Sequence, residues 1–320
     1  MYTDYYGFTE NPFNITPDPR FLYLTEAHLE ALASLLYVVK ERKGFICITG
    51  EVGTGKTTLI YHTIDRLPDG VQTAFVYNTS TTFDQLLKSI LLELRVPVGS
   101  EETYLLVHRL NAYLIERLTR GETAVVFIDE AQNLPAEALE SLRLLSNLET
   151  RSAKLLQIVL VGQPELDAKL DSTELRQLRQ RIVLRQRIRP LTEDESRAYI
   201  DHRLRIVGAT SAKVFTPEAV ALLSSRAGGI PRLINVICDT ALIIGYGAHQ
   251  RKIGEDIIRE VLRKMEVTAP VTAPLAQTVP QAPENDNNPK AALLKKLLSA
   301  VTAKRAERPL RQPEVPWARS

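Results

Sequence analysis

The residues with the clearest chemistry are Gly50-Glu51-Val52-Gly53-Thr54-Gly55-Lys56-Thr57, a full G-x-x-x-x-G-K-T loop. It follows a short apolar run, Phe45–Thr49, and opens a helical pattern over Thr58–Leu67, the setting in which such a loop binds phosphate. The glycines let backbone N–H groups converge on an anion, and the helix N-terminus adds partial positive charge. The expected cradle therefore runs from Gly50 through Thr58. Within it, Lys56 is placed to neutralise β- and γ-phosphate oxygens and Thr57 to hold Mg2+ through its hydroxyl.

A second signal is Ala124-Val125-Val126-Phe127-Ile128-Asp129-Glu130, an apolar strand ending in two carboxylates. Asp129 is expected in the Mg2+ shell, and Glu130 is expected to polarise an attacking water. Gln163, after Leu160-Val161-Gly162, suits contact with a γ-phosphate or that water, or a plain turn before Pro164. Asn78, at the end of another strand pattern, suits a partner that holds Glu130 inactive. Six arginines fall between Arg176 and Arg189. Three roles fit them: a nucleic-acid face, a solvated face paired with nearby acids, or a guanidinium reaching a neighbouring subunit's nucleotide. For the third role Arg181 is the first choice and Arg176 the second. Arg232, after Gly228-Gly229-Ile230-Pro231, sits where a helix begins and can report nucleotide state across a domain junction, or be a plain surface arginine.

These residues need elements to carry them. Residues 1–25 hold nine aromatics and prolines between Tyr5 and Tyr23, which predicts an extended arm docking its rings on a surface rather than a regular helix. Leu29, Leu32, Leu35, Leu36 and Val39 recur at helical spacing. Strand patterns at Thr73–Asn78, Ala124–Ile128, Leu155–Val161 and Ile182–Arg189 then alternate with helical ones at Thr82–Leu94, Thr103–Arg120 and Pro135–Glu149. That rhythm predicts an α/β domain with a parallel sheet over residues 26–190. After Pro190 the strand patterns stop. Thr192 with Glu195 reads as a capping box, Thr216-Pro217 as a cap and first-turn proline, and Pro231 and Gly254 open further helices. A small all-helical domain is expected over residues 191–265.

Residues 266–289 include five prolines and read as a linker. Residues 290–320 form a basic tail with eight Lys/Arg against Glu307 and Glu314. Leu293, Leu294, Leu297, Leu298 and Val301 share one helical face there. It suits an acidic membrane surface or a partner, or a marginal helix that only aids solubility.

Composition narrows the classes further. The 320 residues are 44% hydrophobic and 24% charged, enough for a sizeable core and about two domains. With the tail set aside, 32 basic residues face 36 acidic ones, which argues against a general nucleic-acid binder. Two cysteines, Cys47 and Cys238, exclude a disulfide scaffold. The five histidines have no metal-ligand spacing. Met1 to Phe8 lacks the order of a secretory signal, and the longest apolar run, Val236 to Ala248, is interrupted by Asp239. A cytoplasmic protein, peripheral at the inner membrane where the tail binds, is the expectation.

The loop at Gly50–Thr57, the acidic strand at Val125–Glu130, Gln163 and the Gly-Ile-Pro-Arg ending in Arg232 together resemble the AAA+ ATPases, with Walker A, Walker B, sensor 1 and sensor 2. Tyr5-Tyr6-Gly7-Phe8, Asn11-Pro12-Phe13, Pro17-Asp18-Pro19-Arg20-Phe21, Ile128-Asp129-Glu130-Ala131-Gln132 and Val161-Gly162-Gln163-Pro164-Glu165-Leu166 narrow the resemblance. They are similar to the general secretion pathway protein A (ExeA-type) family and to ATPases of exosortase, polysaccharide-export and pilus-biogenesis loci. The resemblance covers about residues 1–265. It implies the AAA+ fold with a helical lid, and ATP and Mg2+ as ligands. It also implies a homo-oligomer, often a ring, that assists an envelope secretion or export machine. Larger members continue through a membrane helix into a peptidoglycan-binding domain. Residues 266–320 depart from that pattern, so direct peptidoglycan contact is not expected. Transposition ATPases of the TniB and TnsC type share a similar core; that alternative makes the protein a DNA-loaded regulator.

Overall fold

The computed structural model describes residues 2–77, 79, 81–99, 102–151 and 153–265. The expected linker and basic amphipathic helix lie outside the described residues, as does Asn78.

Five parallel strands form one sheet: β1 (Phe45–Gly50), β2 (Val71–Val76), β3 (Thr123–Ile128), β4 (Leu156–Gly162) and β5 (Ile182–Ile188), in the order β2-β3-β4-β1-β5. Parallel neighbours require crossovers, and helices provide them. On one face lie α2 (Glu26–Lys40) and α3 (Lys56–Ile64); on the other lie α4 (Phe83–Glu93), α5 (Thr103–Thr119), α6 (Ala136–Leu145), α7 (Pro164–Leu170) and α8 (Arg176–Arg181). Alternation divides each strand between two cores. Phe45, Cys47, Val126, Ile128, Ile158 and Leu160 face the second group. Ile46, Ile48, Val125, Phe127, Val159 and Val161 face the first. This two-sided burial explains why β1, β3 and β4 read as continuous apolar runs. The edge strand β5 alternates instead: Val183, Arg185 and Arg187 are exposed, while Gln186 Nε2 donates to Ser34 Oγ on α2 at 2.9 Å.

The remaining helices are α9 (Glu193–Ile206), α10 (Ser211–Val214), α11 (Pro217–Arg226), α12 (Pro231–Gly247) and α13 (Glu255–Lys264). Local chemistry sets their starts. Thr192 Oγ accepts from Glu195 N–H at 3.2 Å while the Glu195 carboxylate accepts from Thr192 N–H at 2.8 Å, so the capping box closes. Thr216 Oγ caps α11 by accepting from Ala219 N–H at 3.2 Å, ahead of Pro217. The four-residue α10 has no periodic signal in the sequence, being too short to show one.

The N-terminal arm corrects one expectation. Tyr2–Tyr6 form a short helix, α1, because the first proline comes only at position 12. Beyond it the arm docks on the helical layer. Phe8, Phe13 and Phe21 are buried in the same core as Tyr199, Ile200, Phe215 and Ile237. Phe13 meets the edge of Phe215 with ring centroids 6.3 Å apart. The arm also explains the Asp239 that interrupts the apolar run of α12: its carboxylate accepts from the Tyr2 hydroxyl and from Asn11 Nδ2. Among the described residues no helix is long and apolar enough to cross a membrane.

Phe13 is 1% exposed, so Phe13→Ala should leave a cavity costing about 3–5 kcal/mol. Urea denaturation should register that loss, and limited proteolysis should cut first in residues 7–25. An unchanged midpoint and an uncut arm would show that the arm adds nothing to the helical core.

Candidate functional site

Strands β1, β3 and β4 end side by side, with Thr49 paired to Gly162 and Ile128 to Leu160. This brings three distant sequence segments to one edge of the sheet, the usual place for a ligand in an open α/β fold.

The loop leaving β1 turns through Gly53 (φ +80°) and Gly55 (φ +94°) into α3. A Cβ at Gly53 would stand 2.6 Å from Arg232 Cβ, so only glycine allows α12 to approach this closely. Four of the loop's carbonyls accept hydrogen bonds. Lys56 Nζ donates to Gly50 O at 2.7 Å and Glu51 O at 2.9 Å. Thr54 Oγ donates to Glu51 O at 2.8 Å. The Arg232 N–H donates to Gly53 O at 3.2 Å. His28 Nε2 bonds Thr54 O at 3.1 Å. A carbonyl only accepts, so Nε2 carries the hydrogen, and Nδ1 then accepts from Thr25 Oγ at 2.7 Å. Burial pushes the His28 pKa down and favours that neutral form. Burial also lowers the pKa of Lys56, opposed by Glu130, Asp129 and other acids.

At the end of β3, Asp129 is buried and its Oδ2 accepts from Thr57 Oγ at 2.8 Å, while Oδ1 accepts from Glu130 N–H at 2.9 Å. Burial raises its pKa. The expected metal pair, Thr57 and Asp129, is thus adjacent. A hydroxyl and one carboxylate are hard oxygen donors suited to Mg2+, which keeps several waters and takes further oxygens from phosphate. The described residues hold no cluster of three or more His, Cys, Asp or Glu, so a protein cage for a softer metal is lacking among them.

Glu130 has φ +51°, a conformation rare outside glycine. Its carboxylate Oε2 accepts from Gln132 Nε2 at 2.5 Å and from Gln163 Nε2 at 3.0 Å. Gln132 Oε1 in turn accepts from Gln163 N–H at 3.1 Å. A Cβ at Gly162 would lie 2.7 Å from that Oε1, so the glycine makes room for the amide. Gln163 therefore meets Glu130 directly, and Gln132 joins it.

The other expected residues fall into two groups. Arg232 lines the cleft with Gly53–Thr58 and Glu130, and its side chain is exposed. Gly50, Glu51 and Val52 lead into it from β1. Arg176 and Arg181 are exposed on α8 and do not line this chain's own cleft. Of their neighbours, Arg179 and Arg185 pair with Asp171, and Arg189 with Glu195.

The cleft also has walls that the motifs do not announce: Asn14–Asp18 and Phe21–Tyr23 of the arm, and Leu191, Tyr199, Arg203 and Asn235 of the helical layer. His28 and Gln132 were missed as well. The signal for His28 was its position three residues after a helix-capping threonine; for the others, only three-dimensional packing reveals it.

Comparison with known proteins agrees with this arrangement. Residues 39–170 match the family model described as AAA domain. General secretion pathway protein A of Aeromonas hydrophila is 44% identical over 254 residues, which is 79% of this chain and 46% of that protein. The chain thus spans about half the length of this curated relative. Among solved structures, the Aeropyrum pernix ORC2 protein in its ADPNP-ADP complexes has a TM-score of 0.63 at 19% identity, covering 80% of this chain and 72% of its own. CDC6P from Pyrobaculum aerophilum has a TM-score of 0.62 at 17% identity, covering 80% and 71%. At such identities the likeness is one of fold.

The geometry at Thr54 yields a prediction. His28→Phe fills the space but leaves the Thr54 carbonyl without its donor, a loss of about 1–3 kcal/mol. Calorimetric titration should show triphosphate binding weakened about tenfold. His28→Gln, which still donates, should recover most of it. Equal affinities for the phenylalanine variant and the parent would refute the bracing role of His28.

Proposed function

The chain is an AAA-domain protein related to general secretion pathway protein A, and from that premise we propose that it hydrolyses ATP with Mg2+. The observation that carries the proposal is the meeting of Lys56, Thr57, Asp129 and a Glu130 carboxylate fixed by two amides at one cleft.

Each residue's part follows from its place. N–H groups of the loop and of the first turn of α3, through Thr58, hold the phosphates, and Lys56 exchanges its carbonyl contacts for phosphate oxygens. Thr57 and Asp129 hold Mg2+, which when bound offsets charge on the β- and γ-phosphates. Glu130 orients the attacking water and accepts its proton. Gln163 and Gln132 each place an amide donor on one Glu130 oxygen, leaving the other for the water. In this reading residues 26–190 act as the ATPase domain, residues 191–265 as the lid, and Arg232 couples the lid to nucleotide.

Arg181, or else Arg176, acts in trans on a neighbouring subunit's nucleotide. Both are exposed, as that role needs, and Arg181 has a charge interaction with Glu149. The assembly serves an envelope secretion, pilus or polysaccharide-export system, with the tail as a contact to the inner-membrane surface.

Lys56→Ala should abolish ATP binding. Glu130→Gln should bind ATP normally and lower kcat about 100-fold or more. Hydrolysis at the parent rate would refute the base assignment. The same variant, isolated from cells with ATP bound, should carry envelope export components with it. Recovery with DNA and a transposase instead would transfer the ATPase to the transposition class.

A further inference from the structure

Past the phosphate end, the cleft continues between the arm and the helical layer. Two large apolar side chains that line it, Ile15 and Val52, are 56% and 52% exposed. Both present apolar surface to the same cleft, and such surface suits a flat heterocycle. Behind them is a chain of buried polar side chains whose hydrogen-bond direction can be derived.

The chain starts at Arg203, a guanidinium only 6% exposed. Its Nε donates to Pro12 O at 2.5 Å, one terminal nitrogen to Asn14 O at 3.2 Å, and the other to the Tyr199 hydroxyl at 2.8 Å. The Tyr199 hydroxyl lies 2.8 Å from Asn235 Oδ1. A guanidinium can only donate. The phenol oxygen therefore accepts from Arg203 and passes its single hydrogen to Asn235. Burial pushes the Tyr199 pKa up, so that hydrogen stays in place. The acceptor must be the carboxamide oxygen. A flipped amide would set N–H groups against the phenol and leave the phenol hydrogen without an acceptor.

The direction of the relay fixes what Asn235 has left. Its oxygen is occupied, and its Nδ2 bonds no described residue. Nor is Nδ2 among the buried polar atoms closed off without a partner. It therefore opens into the cleft that Asn235 lines.

We propose that Asn235 reads the base of the bound nucleotide, donating from Nδ2 to a ring nitrogen of a purine seated at Ile15 and Val52. This rests on the nucleotide-binding reading above. The contact is donor-only, because Tyr199 holds the amide oxygen. Adenine accepts at N1, N3 and N7; guanine accepts at N3 and N7 but carries a hydrogen at N1, so a contact at N1 separates the two. Arg203 starts the relay with a fixed positive charge, which polarises the hydrogen bonds after it and strengthens Nδ2 as a donor. The same guanidinium holds Pro12 and Asn14, so the residue that orients the reader also places Ile15 beside the base.

The test uses the full chain and nucleotides altered at one atom. Affinities of ATP, 1-deaza-ATP, 3-deaza-ATP and 7-deaza-ATP are measured by displacement of a fluorescent ATP analogue. One of the three deaza compounds should bind about tenfold more weakly than ATP, the loss of one buried hydrogen bond. In Asn235→Leu, ATP should weaken by a similar factor, and the deaza penalty should vanish. Asn235→Asp, which offers an acceptor in place of the donor, should weaken ATP further while inorganic tripolyphosphate binds as before. Three deaza compounds within twofold of ATP would overturn the inference, as would a penalty that persists in Asn235→Leu. Normal ATP binding with a flat deaza series removes only the base-reading role. Absence of any triphosphate binding by the parent chain removes the nucleotide-binding reading and this inference together.

Discussion

The N–H groups of a phosphate loop can face inward only if its carbonyls are held outward, and the rest of the molecule is arranged to hold them. A peptide unit is planar, so tying one oxygen orients the next N–H. Glu51 is tied by Thr54 Oγ within the loop, and Lys56 adds contacts to Gly50 and Glu51 that it exchanges when phosphate binds. Gly53 is tied by the Arg232 N–H, the first of α12. Thr54 is tied by His28 from α2. The donors thus come from the loop, from its own helix and from two elements distant in sequence, α12 and α2. The phosphate site is local in its motif and global in its support.

The carboxylates answer to a second constraint, their own desolvation. Asp129 is buried, and its charged form is unfavourable unless donors or a cation surround it. Thr57 and the Glu130 N–H supply two donors. Glu130 follows directly in a left-handed turn that costs a non-glycine residue roughly 1–2 kcal/mol. Gln132 and Gln163 on its carboxylate, and Thr79 on its carbonyl, hold that turn. The order β3-β4-β1 makes this possible, because the ends of β3 and β4 are neighbours and Gly162 leaves space between them.

The legible parts of the sequence were those whose chemistry is contiguous. Gly50–Thr58 and Ile128–Glu130 are unbroken runs, and the apolar strands beside them are buried on both faces, so pattern and fold coincide. The capping box at Thr192 and the cap at Thr216 are likewise complete within four residues. The arm's docking could be foreseen from its rings, but not its first helix, since the density of prolines later in the segment masked five proline-free residues at its start. Gln132, His28, Arg203 and Asn235 were opaque for another reason. Each meets at least one partner brought near by strand order or helix packing, as Gln132 meets Gln163 and Asn235 meets Tyr199 of another helix. A single polar residue on a buried helix face carries no periodic signal of the partner it meets.

The arm and the helical layer share one core, and this decides which parts of the cleft move together. Phe8, Phe13 and Phe21 are packed among the aliphatic side chains of α9, α11 and α12, and Arg203 and Asp239 bind the arm through polar contacts. Ile15 on the arm and Asn235 on α12 therefore belong to the same body. The phosphate loop belongs to the sheet, joined to that body by the Arg232–Gly53 contact and to α2 by His28. Val52, the other apolar side chain of the base end, lies on the phosphate loop, so a shift of the helical layer would move Ile15 and Asn235 relative to Val52 and strain the Arg232–Gly53 contact. The width of the cleft between the two bodies would then change. A nucleotide bridging the two bodies would sense that width, and this would couple phosphate occupancy to the position of the helical layer.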